Sequence, residues 1–186
     1  MEQTPVRSEK SGMPKVAPIA ILALLAIAAL FLTVMLFIGT HTFNDFLFKF
    51  WDLCPVVAII VGMIIFKNKR KNLIVAIGYA AAGFMAFVDA CTRLAYPGFG
   101  YALISFLLVL CIAAGYAGIA LSYFFAKPKL YTLKTLGACV AVLFAFIMMI
   151  IDACVLKGTW LVQILNFLFN VLPVCAAAIL FTPFKK

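Results

Sequence analysis

Three amide side chains near the C-terminus are spaced so that they form one polar face of a helix. Gln163, Asn166 and Asn170 recur at intervals of three and four residues, which places them on the same side of an α-helix. The next position on that face is Pro173, whose missing N–H leaves the Phe169 carbonyl without a helical partner. Amide groups beside such a break could line a cavity for a polar solute, or they could bond to neighbouring helices.

Three ionisable side chains lie in apolar segments upstream of these amides. Asp89 and Arg93 are four residues apart, which is the spacing of an ion pair on one helix face. Asp152 has no such local partner. A charged group at the centre of a bilayer costs about 2.5–3.5 kcal/mol, so each is a functional candidate or a polar cap at the membrane interface. We predict that these three residues and the three amides form one substrate-binding set.

The six cysteines and the single histidine give little support to metal or catalytic chemistry. The sequence has no C-x-x-C, H-E-x-x-H or G-x-S-x-G motif and no phosphate-binding glycine loop. The pattern Asp-x-Cys occurs at 52–54, 89–91 and 152–154, which would allow a site with carboxylate and thiolate ligands. A cysteine in an apolar helix is by default a small buried residue. The sequence therefore predicts no metal site, no cofactor and no enzyme.

These candidate residues lie in a chain that is too apolar for a soluble fold. Hydrophobic residues make up 67% of the 186 residues and charged residues 11%, whereas soluble domains have about half and about a quarter. A helix needs about 20 apolar residues to cross a bilayer. This length predicts an all-α bundle of about six transmembrane helices, at 16–39, 46–66, 73–94, 101–126, 136–156 and 160–181.

The first two segments of the chain are less regular. Residues 1–15 are predicted as a disordered cytoplasmic tail, and 16–184 as a single transmembrane domain. Asp45, Lys49 and Asp52 interrupt the start of the second helix and could form a charge network at the surface. Pro55 suits the first turn of a helix. Residues 43–51 could therefore lie along the membrane interface.

Basic residues divide unequally between the two sides of the predicted bundle. With six spans, all but three of the 15 lysines and arginines fall on the side of the two termini, and the exceptions are Lys49, Arg93 and Lys157. Basic residues accumulate in short cytoplasmic loops, so both termini are predicted to be cytoplasmic in a cell-membrane protein. The net charge of +9 is thus a signal of topology and of lipid contact, and does not indicate nucleic-acid binding.

Two further patterns concern helix packing. Residues 88–91 and 151–154 read Val-Asp-Ala-Cys and Ile-Asp-Ala-Cys, which predicts a parallel repeat of helical hairpins 3–4 and 5–6, with chance similarity as the alternative. Small residues at helical spacing predict close packing of three helices. They are Ala17, Ala20, Ala23, Ala26 and Ala29 in the first, Gly78, Ala82, Ala86 and Ala90 in the third, and Ala114, Gly118 and Ser122 in the fourth.

Two classes of function fit these features. The first is a small solute-binding or transport protein with an outward-facing polar cavity. Its size, span number and basic cytoplasmic side resemble the substrate-binding subunits of energy-coupling-factor vitamin transporters. Those subunits typically carry A-x-x-x-A in their first span, where this chain has alanines at every third residue. The second class is a non-catalytic accessory or assembly subunit that contacts a partner membrane subunit or another copy of itself. A membrane-embedded enzyme ranks last.

Overall fold

The computed structural model describes residues 16–38, 43–64, 69–95, 98–125, 130–155 and 160–180, nearly all of them helical. The helices are α1 (Val16–Ile38), α2 (Phe43–Ile64), α3 (Lys69–Arg93), α4 (Phe99–Phe125), α5 (Tyr131–Val155) and α6 (Trp160–Leu180). The predicted all-α class is therefore confirmed. The predicted tail and most of the predicted basic loops lie outside the described residues.

Five of the six helices are long and apolar enough to cross a membrane. Their apolar stretches are Pro18–Ile38, Asn72–Arg93, Phe99–Phe125, Thr132–Val155 and Trp160–Ile179. The apolar part of α2 is shorter, Asp52–Ile64, because the first half of this helix carries the charged residues noted above. The structure thus supports five crossings, and the crossing by α2 stays a prediction.

The course of α2 differs from the prediction at Pro55. The helix begins at Phe43, so Pro55 lies in its interior and not in a first turn. Pro55 is buried, and so are its neighbours Leu53 and Val56. Contacts between its apolar half and the bundle therefore stabilise a helix that the proline would otherwise weaken. The side chains of residues 43–49 are outside the described set, so the predicted charge network remains a prediction.

The helices pack as a ring in chain order. Each helix contacts the next, α1 and α6 close the ring, and α2 also touches α6. The closest packing joins α3, α4 and α5. Large apolar side chains such as Ile19, Phe84 and Leu161 point away from the core and are more than half exposed. Such an outer surface suits hydrocarbon and not water.

Small residues bring neighbouring helices of the bundle into close contact, and Gly78 of α3 packs against Ala58 of α2. The predicted face of α3 is confirmed, since Gly78, Ala82, Ala86 and Ala90 are all buried. In α4 the prediction holds for Gly118 and Ser122, which are buried, but not for Ala114, which is exposed.

The backbones of α4 and α5 meet at two glycines outside the predicted small-residue faces. A Cβ added at Gly137 would lie 2.6 Å from the Gly115 carbonyl oxygen, and one added at Gly115 would lie 2.7 Å from the Gly137 carbonyl oxygen. Real Cβ atoms do not approach so closely, so this crossing requires the absence of a side chain at both positions.

The predicted small-residue face of α1 is wrong for packing within this chain. Ala20, Ala23 and Ala26 are exposed, Ala29 is half-buried, and the side chain of Ala17 lies outside the described residues. Residues three apart turn by about 300° along a helix and so drift steadily around it. The buried positions of α1 follow the alternation of three and four that marks one face, and they are Leu25, Ala28, Leu32 and Leu36.

The two copies of the predicted repeat occupy similar environments. Ala90 and Ala153 are both buried, and Cys91 and Cys154 are both exposed, near the C-terminal ends of α3 and α5. This similarity agrees with a repeat of the two hairpins, which stays a prediction because equivalent burial also follows from the shared amphipathic pattern.

Candidate functional site

All six residues predicted as substrate-binding line one open cavity of about 160 Å³. It lies at the end of the bundle where α3 and α5 finish and α4 and α6 begin, which we name the cavity end. The predicted residues come from α3, α5 and α6, and they are Asp89, Arg93, Asp152, Gln163, Asn166 and Asn170. The structure thus brings together side chains up to 81 positions apart in the chain, between Asp89 and Asn170.

The amide residues form one wall of the cavity. Gln163, Asn166 and Asn170 descend along α6 over about 10 Å, at 1.5 Å per residue, and all three are half-buried. Leu161 and Leu168 lie on the other side of the helix and are exposed. This part of α6 is therefore amphipathic: its polar face lies toward the other helices and its apolar face lies on the outer surface of the bundle.

Asp89 and Arg93 form the ion pair that their spacing predicts. The Arg93 Nε donates to the Asp89 Oδ2 at 3.0 Å, and the two side chains are only 16% and 13% exposed. The Thr92 hydroxyl donates to the Asp89 carbonyl at 2.8 Å, which satisfies one of the last carbonyls of α3. The pair thus presents a charged but internally compensated group at the mouth of the cavity.

Asp152 has a partner that sequence spacing did not reveal. The hydroxyl of Tyr101, the third residue of α4, donates to the Asp152 Oδ1 at 2.9 Å. The bond crosses the α4–α5 interface and orients the carboxylate beside the cavity. A tyrosine near the start of a helix after a Pro-Gly turn is the signal that could have suggested a polar contact at this interface.

Several cavity residues do not stand out in the sequence of any single helix. Asp52 of α2 lines the cavity, although the sequence placed it in a surface network. Tyr116, Met148 and Phe167 supply part of the apolar lining. Their types are ordinary for a bundle core, so only the packing of five helices shows that they face the same space.

A set of three buried tyrosines, Tyr79, Tyr116 and Tyr123, lies beyond the cavity toward the opposite end of the bundle, and we name it the tyrosine layer. Each is no more than 6% exposed. The rings of Tyr79 and Tyr116 meet edge to face with centroids 5.8 Å apart. Tyr116 also lines the cavity, so it connects the cavity to this layer.

The tyrosine layer is bonded to α6. The Tyr79 hydroxyl of α3 donates to the Pro173 carbonyl at 2.6 Å, and the Tyr123 hydroxyl of α4 donates to the Ala177 carbonyl. The acceptor beside the proline is thus the carbonyl of Pro173 itself, one turn beyond the Phe169 carbonyl that the sequence suggested. Lys134 of α5 is buried with its Nζ 5.5 Å from the centre of the Tyr123 ring, a cation–π contact.

Metal ligands are not grouped in the part of the chain that the structure describes. No set of three or more His, Cys, Asp or Glu side chains there could hold a metal ion. The six cysteines are free thiols. Cys139 and Cys175 are exposed in an apolar groove between α5 and α6, so their expected burial as core residues is wrong.

Three larger depressions on the described surface are apolar. They lie between α3 and α4, between α5 and α6, and between α1, α2 and α3, and their walls are alanine, leucine, valine and phenylalanine side chains with few polar groups. Such grooves on a membrane protein suit lipid chains. The cavity at the end of the bundle differs from them in having carboxylate, guanidinium and amide groups in its wall.

Comparison of the chain with models of protein families, with curated proteins and with solved structures finds no significant match.

Proposed function

We propose that this chain is a non-enzymatic membrane protein that binds a small polar solute in the cavity at the end of its bundle, for capture or transport across the cell membrane. The observation that carries the proposal is the convergence of seven charged or amide side chains from four helices, Asp52 of α2 included, on a single cavity. Their spacing along each helix predicts which face they share. Their meeting in one space is additional information from the structure.

The physical support comes from the cost of polar groups among apolar helices. Amide and ionised side chains within a membrane domain must face other protein or water, because hydrocarbon gives them no partners. In this chain these side chains line an open cavity, although Asp89 and Arg93 also contact each other. An arrangement of this kind can exchange water for the polar groups of a solute.

The proposed orientation places the cavity end outside the cell and both termini in the cytoplasm. It is supported by the distribution of basic residues, since the loops and termini at the opposite end hold nearly all of the lysines and arginines. The tyrosine layer then separates the cavity from the cytoplasmic side.

The proposal is tested by screening the purified protein in detergent for thermal shifts against polar solutes of different charge, because a ligand that binds only the folded state raises the melting temperature. The double variant Asn166→Leu/Asn170→Leu should insert into membranes normally and lose the shift. Leu168→Ala, on the exposed side of the same helix, is the matched control and should keep it.

A different result would favour the accessory-subunit alternative. In that case no solute in the screen shifts the melting temperature of the wild type. The leucine variant then retains its partner membrane protein, or gains stability, because the amides acted only as bonds between helices.

A further inference from the structure

The ionisable groups around the cavity have a marked excess of negative charge. Three carboxylates, from Asp52, Asp89 and Asp152, face one guanidinium, from Arg93, which gives the wall a formal charge of −2. The whole chain carries +9. Among the residues that the structure describes, three of the chain's six acidic residues line this space, together with Arg93. The sign of the cavity is therefore opposite to that of the chain.

We infer that the solute of this cavity is a small organic cation, an amine in its ammonium form. This inference rests on the proposed function and names the class of solute that the same site would take. Inside a domain surrounded by apolar helices, charges interact more strongly than in water, so an excess of carboxylates attracts a cation and repels an anion.

The remaining lining favours an organic cation over a metal ion. Tyr116 and Phe167 place aromatic rings in the wall, and Met148 adds a polarisable apolar side chain. Rings of this kind bind ammonium groups and the alkyl groups attached to them. The acidic side chains, in contrast, are not grouped as metal ligands among the residues that the structure describes.

The size of the cavity favours a compact ligand. A volume of about 160 Å³ corresponds to roughly five water molecules, at about 30 Å³ each. A compact amine with a handful of heavy atoms fits this space in the conformation seen here. The amide side chains of α6 are positioned to accept from its N–H groups or to bond to a hydroxyl that it carries.

The test uses three compact probes that share one body and differ in charge: tert-butylammonium, tert-butanol and pivalate. Their binding to the full-length protein in lipid nanodiscs is measured by saturation-transfer NMR at constant ionic strength. tert-Butylammonium should bind at least about tenfold more tightly than tert-butanol, because hydrogen bonds to charged groups are stronger than neutral ones. Pivalate should bind most weakly.

Variants separate the charge of the cavity from its shape. Asp152→Asn should weaken tert-butylammonium about tenfold and leave tert-butanol nearly unchanged. Asp52→Asn provides the same comparison from a second helix should the first variant fail to fold. Arg93→Gln should strengthen the binding of tert-butylammonium, because it removes the positive group of Arg93 from the wall. Leu168→Ala should change none of the three affinities.

The outcomes distinguish the class of solute from the existence of a solute site. Equal or tighter binding of tert-butanol or pivalate overturns the cationic class but agrees with a solute-binding cavity. Failure of all three probes to bind also overturns it. The proposed function is lost only when the wider screen described above finds no ligand of any charge.

Discussion

The Tyr101 hydroxyl of α4 donates a hydrogen bond to the Asp152 carboxylate of α5, between residues that are 51 positions apart in the chain. This contact fixes one of the acidic groups of the cavity to a helix that follows directly after Asp89 and Arg93. The two acidic positions, Asp89 and Asp152, are thus held by different means, one by an arginine of its own helix and the other by a tyrosine of a neighbouring helix.

The Tyr101–Asp152 bond should make a measurable contribution to stability. Tyr101→Phe removes the donor and should lower the free energy of unfolding by about 1 kcal/mol, because the bond is only partly buried. The measurement is denaturant-induced unfolding in detergent. In the Asp152→Ala background the same substitution should have almost no effect. An equal loss in both backgrounds would show that the tyrosine acts through packing alone.

The Asp89–Arg93 ion pair should be sensitive to the loss of one partner. Arg93→Gln leaves a carboxylate that is only 13% exposed without its nearest cation, and should cost about 2 kcal/mol. The double variant Asp89→Asn/Arg93→Gln should recover most of this loss, because both charges are then absent. Thermal unfolding of the three variants provides the comparison. A double variant less stable than Arg93→Gln would contradict this account of the pair.

The bonds from the tyrosine layer to α6 should stabilise the bundle. Tyr79→Phe removes a buried donor to the Pro173 carbonyl and should lower stability by about 1–2 kcal/mol, and Tyr123→Phe should have a similar effect. Because both bonds hold the same helix, the double variant should also increase hydrogen exchange in the second half of α6. Unchanged exchange there would mean that packing alone keeps α6 in place.

The α4–α5 crossing should tolerate no side chain at Gly137. A methyl group there would lie 2.6 Å from the Gly115 carbonyl oxygen, so Gly137→Ala should destabilise the protein by about 1–3 kcal/mol. Gly118→Ala is the matched control on the same interface, since the nearest atom would lie at 3.6 Å, an ordinary contact. The control should be neutral or slightly stabilising. Equal melting temperatures for the two variants would contradict the observed crossing.

The proposed orientation can be tested with the natural cysteines. Cys154 is exposed near the cavity end, and Cys91 is exposed at the equivalent position of α3. Variants that keep only one of these cysteines should react with a membrane-impermeant maleimide added outside intact cells. A cysteine added to the N-terminal tail should react only after the membrane is permeabilised. The reverse pattern would place the cavity on the cytoplasmic side.

Local spacing was sufficient to predict much of the cavity. The intervals between Gln163, Asn166 and Asn170, and between Asp89 and Arg93, depend only on the period of the helix, so the shared faces follow directly from the sequence. The helices themselves follow from the length of the apolar segments. These properties are independent of how the helices are arranged around one another.

Contacts between distant segments could not be predicted in this way. The partner of Asp152 lies on another helix. The place of Asp52 in the cavity depends on α2 being helical on both sides of Pro55. The alanines of α1 show the opposite error, since small side chains at regular intervals resemble a packing face without being one in this chain. Which surfaces meet is decided by the fit of whole helices, for which a single sequence gives little information.

Hydrogen bonds attach α6 to α3 and α4 at two successive turns beyond Asn170. Under the proposed function, a solute that moved past Asn170 toward the cytoplasmic side would meet the Pro173 and Ala177 carbonyls, which accept these bonds from Tyr79 and Tyr123 of two different helices. A carrier built on this bundle would thus have to detach α6 from both neighbours in one concerted movement. A protein that merely captures its solute for another component could keep both attachments throughout its working cycle.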